Sequence, residues 1–185
     1  MTVVDKMTLD HKAFIFDYDA FIKELADILE NALVKNKIHE LIAFIENNLS
    51  YLKHPDEGEY LDYSWKEIIE TEDTSEYGDI AITKYYNPDD NIGLSYNWMQ
   101  LDDLLLQELN LEIYPLLATV FGSSEVYFNP GKQGSYFQSP EKVRENFELI
   151  NSLSNEKLHK LSDIDILKNM FLDALVLQKG LYLTF

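Results

Sequence analysis

The sequence predicts an α+β fold, and three observations carry that prediction. Between Asp17 and Leu52 apolar residues recur every three or four positions, the rhythm of amphipathic helices. Between Gly78 and Gln138 β-branched and aromatic runs alternate with Asn, Asp, Pro and Gly clusters, the signature of strands joined by turns. After Ser139 come helical segments with recognisable caps, followed by a last apolar run, Leu181–Phe185. The expected architecture is an N-terminal helical hairpin, a central antiparallel sheet and C-terminal helices, in one compact domain over residues 1–185.

In chain order, Ala13–Phe16 is a short apolar patch suited to an edge strand or a docking arm. Asp17 and Asp19 supply an N-cap and first-turn negative charge. Phe21, Ile22, Leu25, Ile28, Leu29, Ala32 and Leu33 then form one apolar helical face. Lys35-Asn36-Lys37 interrupts it, and Ile38, Leu41, Ile42, Ile45, Leu49 and Leu52 repeat the rhythm up to Pro55. Tyr60–Trp65 and Ile68-Ile69 read as a short helix anchored by aromatics. Gly78–Tyr86 reads as a strand, Asn87–Gly93 as a turn and Leu94–Trp98 as the returning strand. Leucine density predicts a helix over 101–111, while 114–121 fits either a buried strand or a short helix with Pro115 in its first position.

Glu125–Gln138 is the most feature-dense stretch. Val126-Tyr127-Phe128 suits a strand, and Asn129-Pro130-Gly131 breaks it with a preset φ followed by a residue free to take positive φ. Gly134 is a second permissive point before Ser135–Gln138 resumes strand composition. The loop reads either as a hairpin tip or as a binding site, in which Asn129, Gly131, Lys132, Gly134, Ser135, Tyr136 and Gln138 would line the ligand. Ser139-Pro140-Glu141 starts a helix to about Leu153, Ser154 starts another, and Ser162–Asp165 matches a capping box for a last helix through Leu177, ended by Gly180. The segment Phe128–Gln138 resembles an FDPG-x-x-GSYFQ-type segment of a bacterial protein family, and Ala81–Tyr86 and Gly93–Trp98 are similar to parts of the same pattern. Asn129 departs from it, standing where aspartate is expected. The resemblance implies a bacterial family and carries no activity.

A chain of 185 residues can bury about 70% of its unfolded surface. Its 46% hydrophobic and 13% aromatic content exclude a disordered chain. Without cysteine it has no disulfide, thiolate metal ligand or cysteine nucleophile. No apolar run is long enough to span a bilayer and the N-terminus lacks signal-peptide character, so a cytoplasmic protein is expected. Thirty-three acids against 15 bases give −18, which argues against nucleic acid and anionic membrane as partners. The charge is concentrated: residues 54–131 hold 17 acids but only Lys66 and Lys84 as bases.

Motifs for chemistry are absent. The four histidines are dispersed, and 87–98 fails as a calcium loop because Ile92 and Trp98 stand where glycine and glutamate are needed. Asp56, Glu57 and Glu59 read either as a loose Ca²⁺ site or, more simply, as a solvated acidic loop. No phosphate-binding loop, dinucleotide fingerprint or nucleophile elbow occurs, so neither a cofactor nor a catalytic residue is assigned and the expectation leans away from an enzyme. What the sequence favours is an acidic binding protein that meets a basic protein through Asp56, Glu57, Glu59, Asp62 and Trp65 with the neighbouring tyrosines. An immunity-type inhibitor of a cationic toxin fits that description. The alternative is a small-ligand site or an enzyme at Asn129–Gln138, with Lys132 contacting an anion.

Overall fold

Alternation along three short strands decides the architecture. The computed structural model describes residues 9–185 except 36, 72, 97, 110–114, 124, 133, 155 and 157–162. In β1 (Lys12–Phe16), β2 (Ser135–Gln138) and β3 (Gly180–Thr184) successive side chains point to opposite faces. β3 lies between the other two and is antiparallel to both, with Thr184 opposite Lys12 on one side and Ser135 on the other. Phe14, Phe16, Phe137 and Tyr182 therefore share one face of the sheet, and Ala13, Leu181 and Leu183 the other.

Each face carries its own apolar cluster. The first is covered by α1 (Tyr18–Glu24), α2 (Ala26–Lys35), α3 (Ile38–Asn48) and α4 (Thr74–Ile82), through Phe21, Leu29, Leu41, Ile45 and Ile80 among others. The second is covered by α5 (Trp98–Leu109), α6 (Pro140–Asn151) and α7 (Ile164–Leu177), through Leu101, Leu105, Val143, Ile150, Leu167 and Phe171. The sheet is thus the middle of three layers, and the α+β class is as the sequence predicts. Rings dominate the first face: Phe137 lies 5.0 Å from Tyr182 and stacks on Phe21 at 5.6 Å.

Several local expectations hold because the signal is chemical rather than periodic. Asp17 caps α1 by accepting from the Ala20 N–H, and Ser139 caps α6 by accepting from the Lys142 N–H at 3.2 Å with Pro140 in the first turn. Gly131 takes φ 62°, ψ 1° as the turn at Asn129–Lys132 requires. The predicted first helix breaks in two at Leu25, whose φ of −123° separates α1 from α2.

Other expectations are corrected. Gly78–Tyr86 is not a strand but the body of α4 and a following 3-10 turn, Thr83–Tyr85. Asp73 caps α4 by accepting from Ser75 N–H at 3.0 Å, and the helix is enclosed, so Ile80, Ala81 and Ile82 are all buried. A continuous apolar run of that length looks the same in a buried helix as in a strand. Leu94–Trp98 forms no returning strand; only a bridge between Ser95 and His11 remains, and Trp98 begins α5. Val126–Phe128 contributes a single bridge, Tyr127 to Gly122, so the hairpin expected around Asn129 has one true strand, β2. The last helix runs through Leu177 as expected, but the residue that closes it in the left-handed region is Gln178 and not Gly180, which belongs to β3 and passes too close to the Gln138 carbonyl for a side chain. The helix expected from Ser154 and the cap expected at Ser162 fall largely on residues outside those described.

Candidate functional site

The acidic segment after α3 is built as a projecting surface. Lys53 and Tyr60 form a bridge, closed by hydrogen bonds from His54 N–H to the Glu59 carbonyl at 2.8 Å and from Leu61 N–H to the Leu52 carbonyl at 3.0 Å. His54 Nδ1 accepts from the amides of Asp56 and Glu57 at 3.2 and 3.1 Å, so the imidazole shapes the turn instead of facing outward. Asp62 accepts from both the amide and hydroxyl of Ser64, at 2.8 and 2.6 Å, which pins the next turn. Those bonds hold its carboxyl below the usual carboxylate range. Between these two turns Tyr60 and Tyr63 are left 70% and 97% exposed.

Glu57, Glu59, Asp62 and Tyr60 surround one shallow depression. Of the nearby cations, Lys53 reaches Asn87 and Asp89 at 2.6 and 3.3 Å while its ammonium lies 5.2 Å from the centre of the Tyr60 ring, and Lys66 pairs with Glu46 at 2.8 Å. Further along, burial pushes Glu76 upward, but the amides of Glu70 and Thr71 and the Thr71 hydroxyl, all bonded to its carboxylate, more than offset this and leave it below its ordinary value. Trp65, expected in this surface, is buried and packs edge-on against Tyr77 at 6.1 Å. Its role is to fasten the segment to the core.

The Asn129–Gln138 loop divides its polar groups between solvent and interior. Asn129 Oδ1 accepts from Gly134 N–H at 2.8 Å and ties the loop's ends together. Lys132 is exposed beside a hollow lined also by Glu70, Asp73 and Glu76, surroundings that suit no anion. Ser135 and Gln138, expected to meet a ligand, are buried. Ser135 donates to the Tyr182 hydroxyl at 3.2 Å, while Gln138 donates to the Leu116 carbonyl and accepts from Asn146 Nδ2 at 3.0 Å each. Tyr136 packs edge-on against Phe185 at 5.8 Å.

Gly131 and Asp56, from the two expected sites, meet at a third place. A cavity of about 140 Å³ opens at the end of the sheet, with Lys12, Phe14, Tyr182 and Thr184 for its floor and Asp56, Asp79, Tyr86 and Gly131 around it. Burial, reinforced by the Asp56 carboxylate, pushes Asp79 up to about 7, against the pull of Lys12. Burial and the Asp79 charge likewise raise the hydroxyls of Tyr86 and Tyr182. Sequence reasoning missed Asp79, Tyr86 and Tyr182. The signal was a single acid directly before the apolar run Ile80-Ala81-Ile82, legible only once that run is read as a helix.

A second buried titratable group lies near the cavity's edge: His11 accepts from Leu94 N–H through Nδ1 at 3.0 Å, and its ring meets Phe185 at 5.4 Å. Burial lowers it to about 4, so it is neutral near neutral pH. Among the described residues no group of three acidic or histidine side chains is placed to hold a metal ion, and no helix is long and apolar enough to cross a membrane. Comparison with protein-family models, with curated proteins and with solved structures returns no match for this chain.

Proposed function

We propose that the protein is a non-catalytic acidic binding protein that engages a cationic protein partner through the face around Tyr60 and Tyr63. The observation that supports this reading is the exposure of those two rings in a segment that also carries Asp56, Glu57, Glu59 and Asp62, while the ion pairs of Lys53 and Lys66 go to Asp89 and Glu46. Large aromatics within a carboxylate rim combine an apolar anchor with long-range attraction for positive charge. Holding Asp62 ionised by two internal hydrogen bonds keeps that attraction in place below neutral pH. An immunity-type inhibitor masking the basic surface of a toxin, as in bacterial toxin systems, is the partner class this chemistry suits.

The test uses a fluorescently labelled lysine-rich peptide and a basic protein such as cytochrome c. Binding is expected to weaken steeply from low to physiological salt. The variant with Tyr60→Ala and Tyr63→Ala should lose affinity at unchanged thermal stability, since neither ring is buried. If joint replacement of Asp56, Glu57, Glu59 and Asp62 by Asn or Gln leaves binding unchanged, the reading fails.

A further inference from the structure

We infer that the cavity at the end of the sheet is a binding site for a primary ammonium group, with Asp79 and Asp56 as its counter-charges and the rings of Phe14, Tyr86 and Tyr182 as its wall. Size comes first. About 140 Å³ is the share of roughly five waters at ~30 Å³ each, and well below the ~300 Å³ from which pockets for drug-sized ligands begin. A small alkylamine, or the tip of a lysine side chain, is what such a volume admits.

Charge and ring geometry then fix the sign. Two carboxylates face one lysine, Lys12, across the cavity. Phe14 lies 4.8 Å from Tyr86, and Tyr86 lies 5.2 Å from Tyr182, so three rings meet in one corner. Aromatic faces attract cations and do so more strongly where water is excluded. An ammonium has three N–H donors for the acceptors available here, Asp79, Asp56 and the tyrosine oxygens. An anion would meet two carboxylates with Lys12 alone in its favour.

Occupancy is coupled to protonation. The groups acting on Asp79 are Asp56 and Glu76, which hold its proton on, Lys12, which opposes them, and the hydroxyls of Tyr86 and Tyr182. With Asp79 titrating at about 7, an entering ammonium favours the carboxylate and releases a proton. Affinity should therefore rise with pH, approaching tenfold between about pH 6 and about pH 8. Asp56 is shared with the acidic face, and the two readings are separated by Tyr60→Ala with Tyr63→Ala, which leaves the cavity lining untouched.

Isothermal titration calorimetry of the full chain with ethylammonium chloride, and separately with Nα-acetyl-lysine amide, tests it. Saturable binding by the first shows a site for free amines. Binding by the second alone shows a site for a lysine side chain, and either result supports the inference. Proton release, read from two buffers of different ionisation enthalpy, should accompany binding. Asp79→Asn, nearly isosteric, should weaken affinity at least tenfold at about pH 8 and abolish its pH dependence. Lys12→Met should tighten it by removing the resident cation. Neither amine binding to folded wild-type protein, Asp79→Asn binding as well as wild type, or acetate binding through Lys12 in preference to both amines would each overturn the inference.

Discussion

At the scale of single residues, two buried ionisable side chains and one half-buried one, Asp79, shift stability with pH, and they do not act alike. Asp79 and Asp102 have folded-state values raised to about 7 and about 6. Their contribution is fully present below the ordinary carboxylate value and is lost as pH rises through those raised values. His11 is lowered to about 4, so its contribution is present above about 6.5 and is lost as pH falls towards 4. The two carboxyls outweigh the histidine, so urea denaturation should show stability declining as pH rises from about 4 to about 7. Asp79→Asn should remove much of that decline, and no such flattening would contradict the burial of that carboxyl. Asp102 has a structural task as well: it accepts the Leu116 N–H where Leu116 and Leu117 both sit at positive φ. Asp102→Ala leaves that buried amide unpaired and should cost about 1–3 kcal/mol, read from the same denaturation curves.

At the scale of elements, α4 shows what was legible in the chain and what was not. Its cap, Asp73 to Ser75, is local chemistry, yet the apolar run behind it fits a strand equally well until the layers on either side are known. Only tertiary enclosure decides between the two. By contrast the Ser139 cap and the aromatic or apolar runs of β2 and β3 were readable within a few residues, while the patch that becomes β1 fitted an edge strand or a docking arm. The site divided in the same way. The acidity and tyrosines of 56–63 are visible as composition, whereas the Asp79 cavity assembles residues from β1, β3, α4 and three connecting segments that no window contains. Trp65 fitted core or surface in the sequence, because composition alone does not say which aromatic of a cluster turns inward. A test of the α4 packing lies at Gly78: a Cβ there would stand 2.7 Å from the Phe128 ring and 2.8 Å from a Leu29 methyl. Helix propensity favours Gly78→Ala by ~1 kcal/mol, but overpacking of a buried contact costs about 1–3 kcal/mol. The variant should therefore be destabilised, and a rise in thermal midpoint would mean α4 stands further from Phe128.

At the scale of the whole molecule, a net charge of −18 makes the folded state repel itself. Ion pairs such as Lys84–Glu24 at 2.6 Å and Lys179–Asp17 relieve this locally, the second fastening the residue after α7 to the start of α1. Added sodium chloride should raise the thermal midpoint by screening the excess, while the same salt weakens a cationic partner's grip. Opposite responses to one variable separate self-repulsion from recognition, and a midpoint that falls with salt would place the ion pairs above the repulsion.

The sheet's wiring has a kinetic corollary. Lys12–Phe16 and Gly180–Thr184, from opposite ends of the described chain, are direct neighbours in register, so the middle layer stays open until those distant segments meet. Closing so large a loop is an entropic hurdle that the helices, made of near neighbours, do not face. Refolding from denaturant should thus run in the millisecond-to-second range typical of non-local topologies, with helical signal preceding burial of the Phe14–Tyr182 pair.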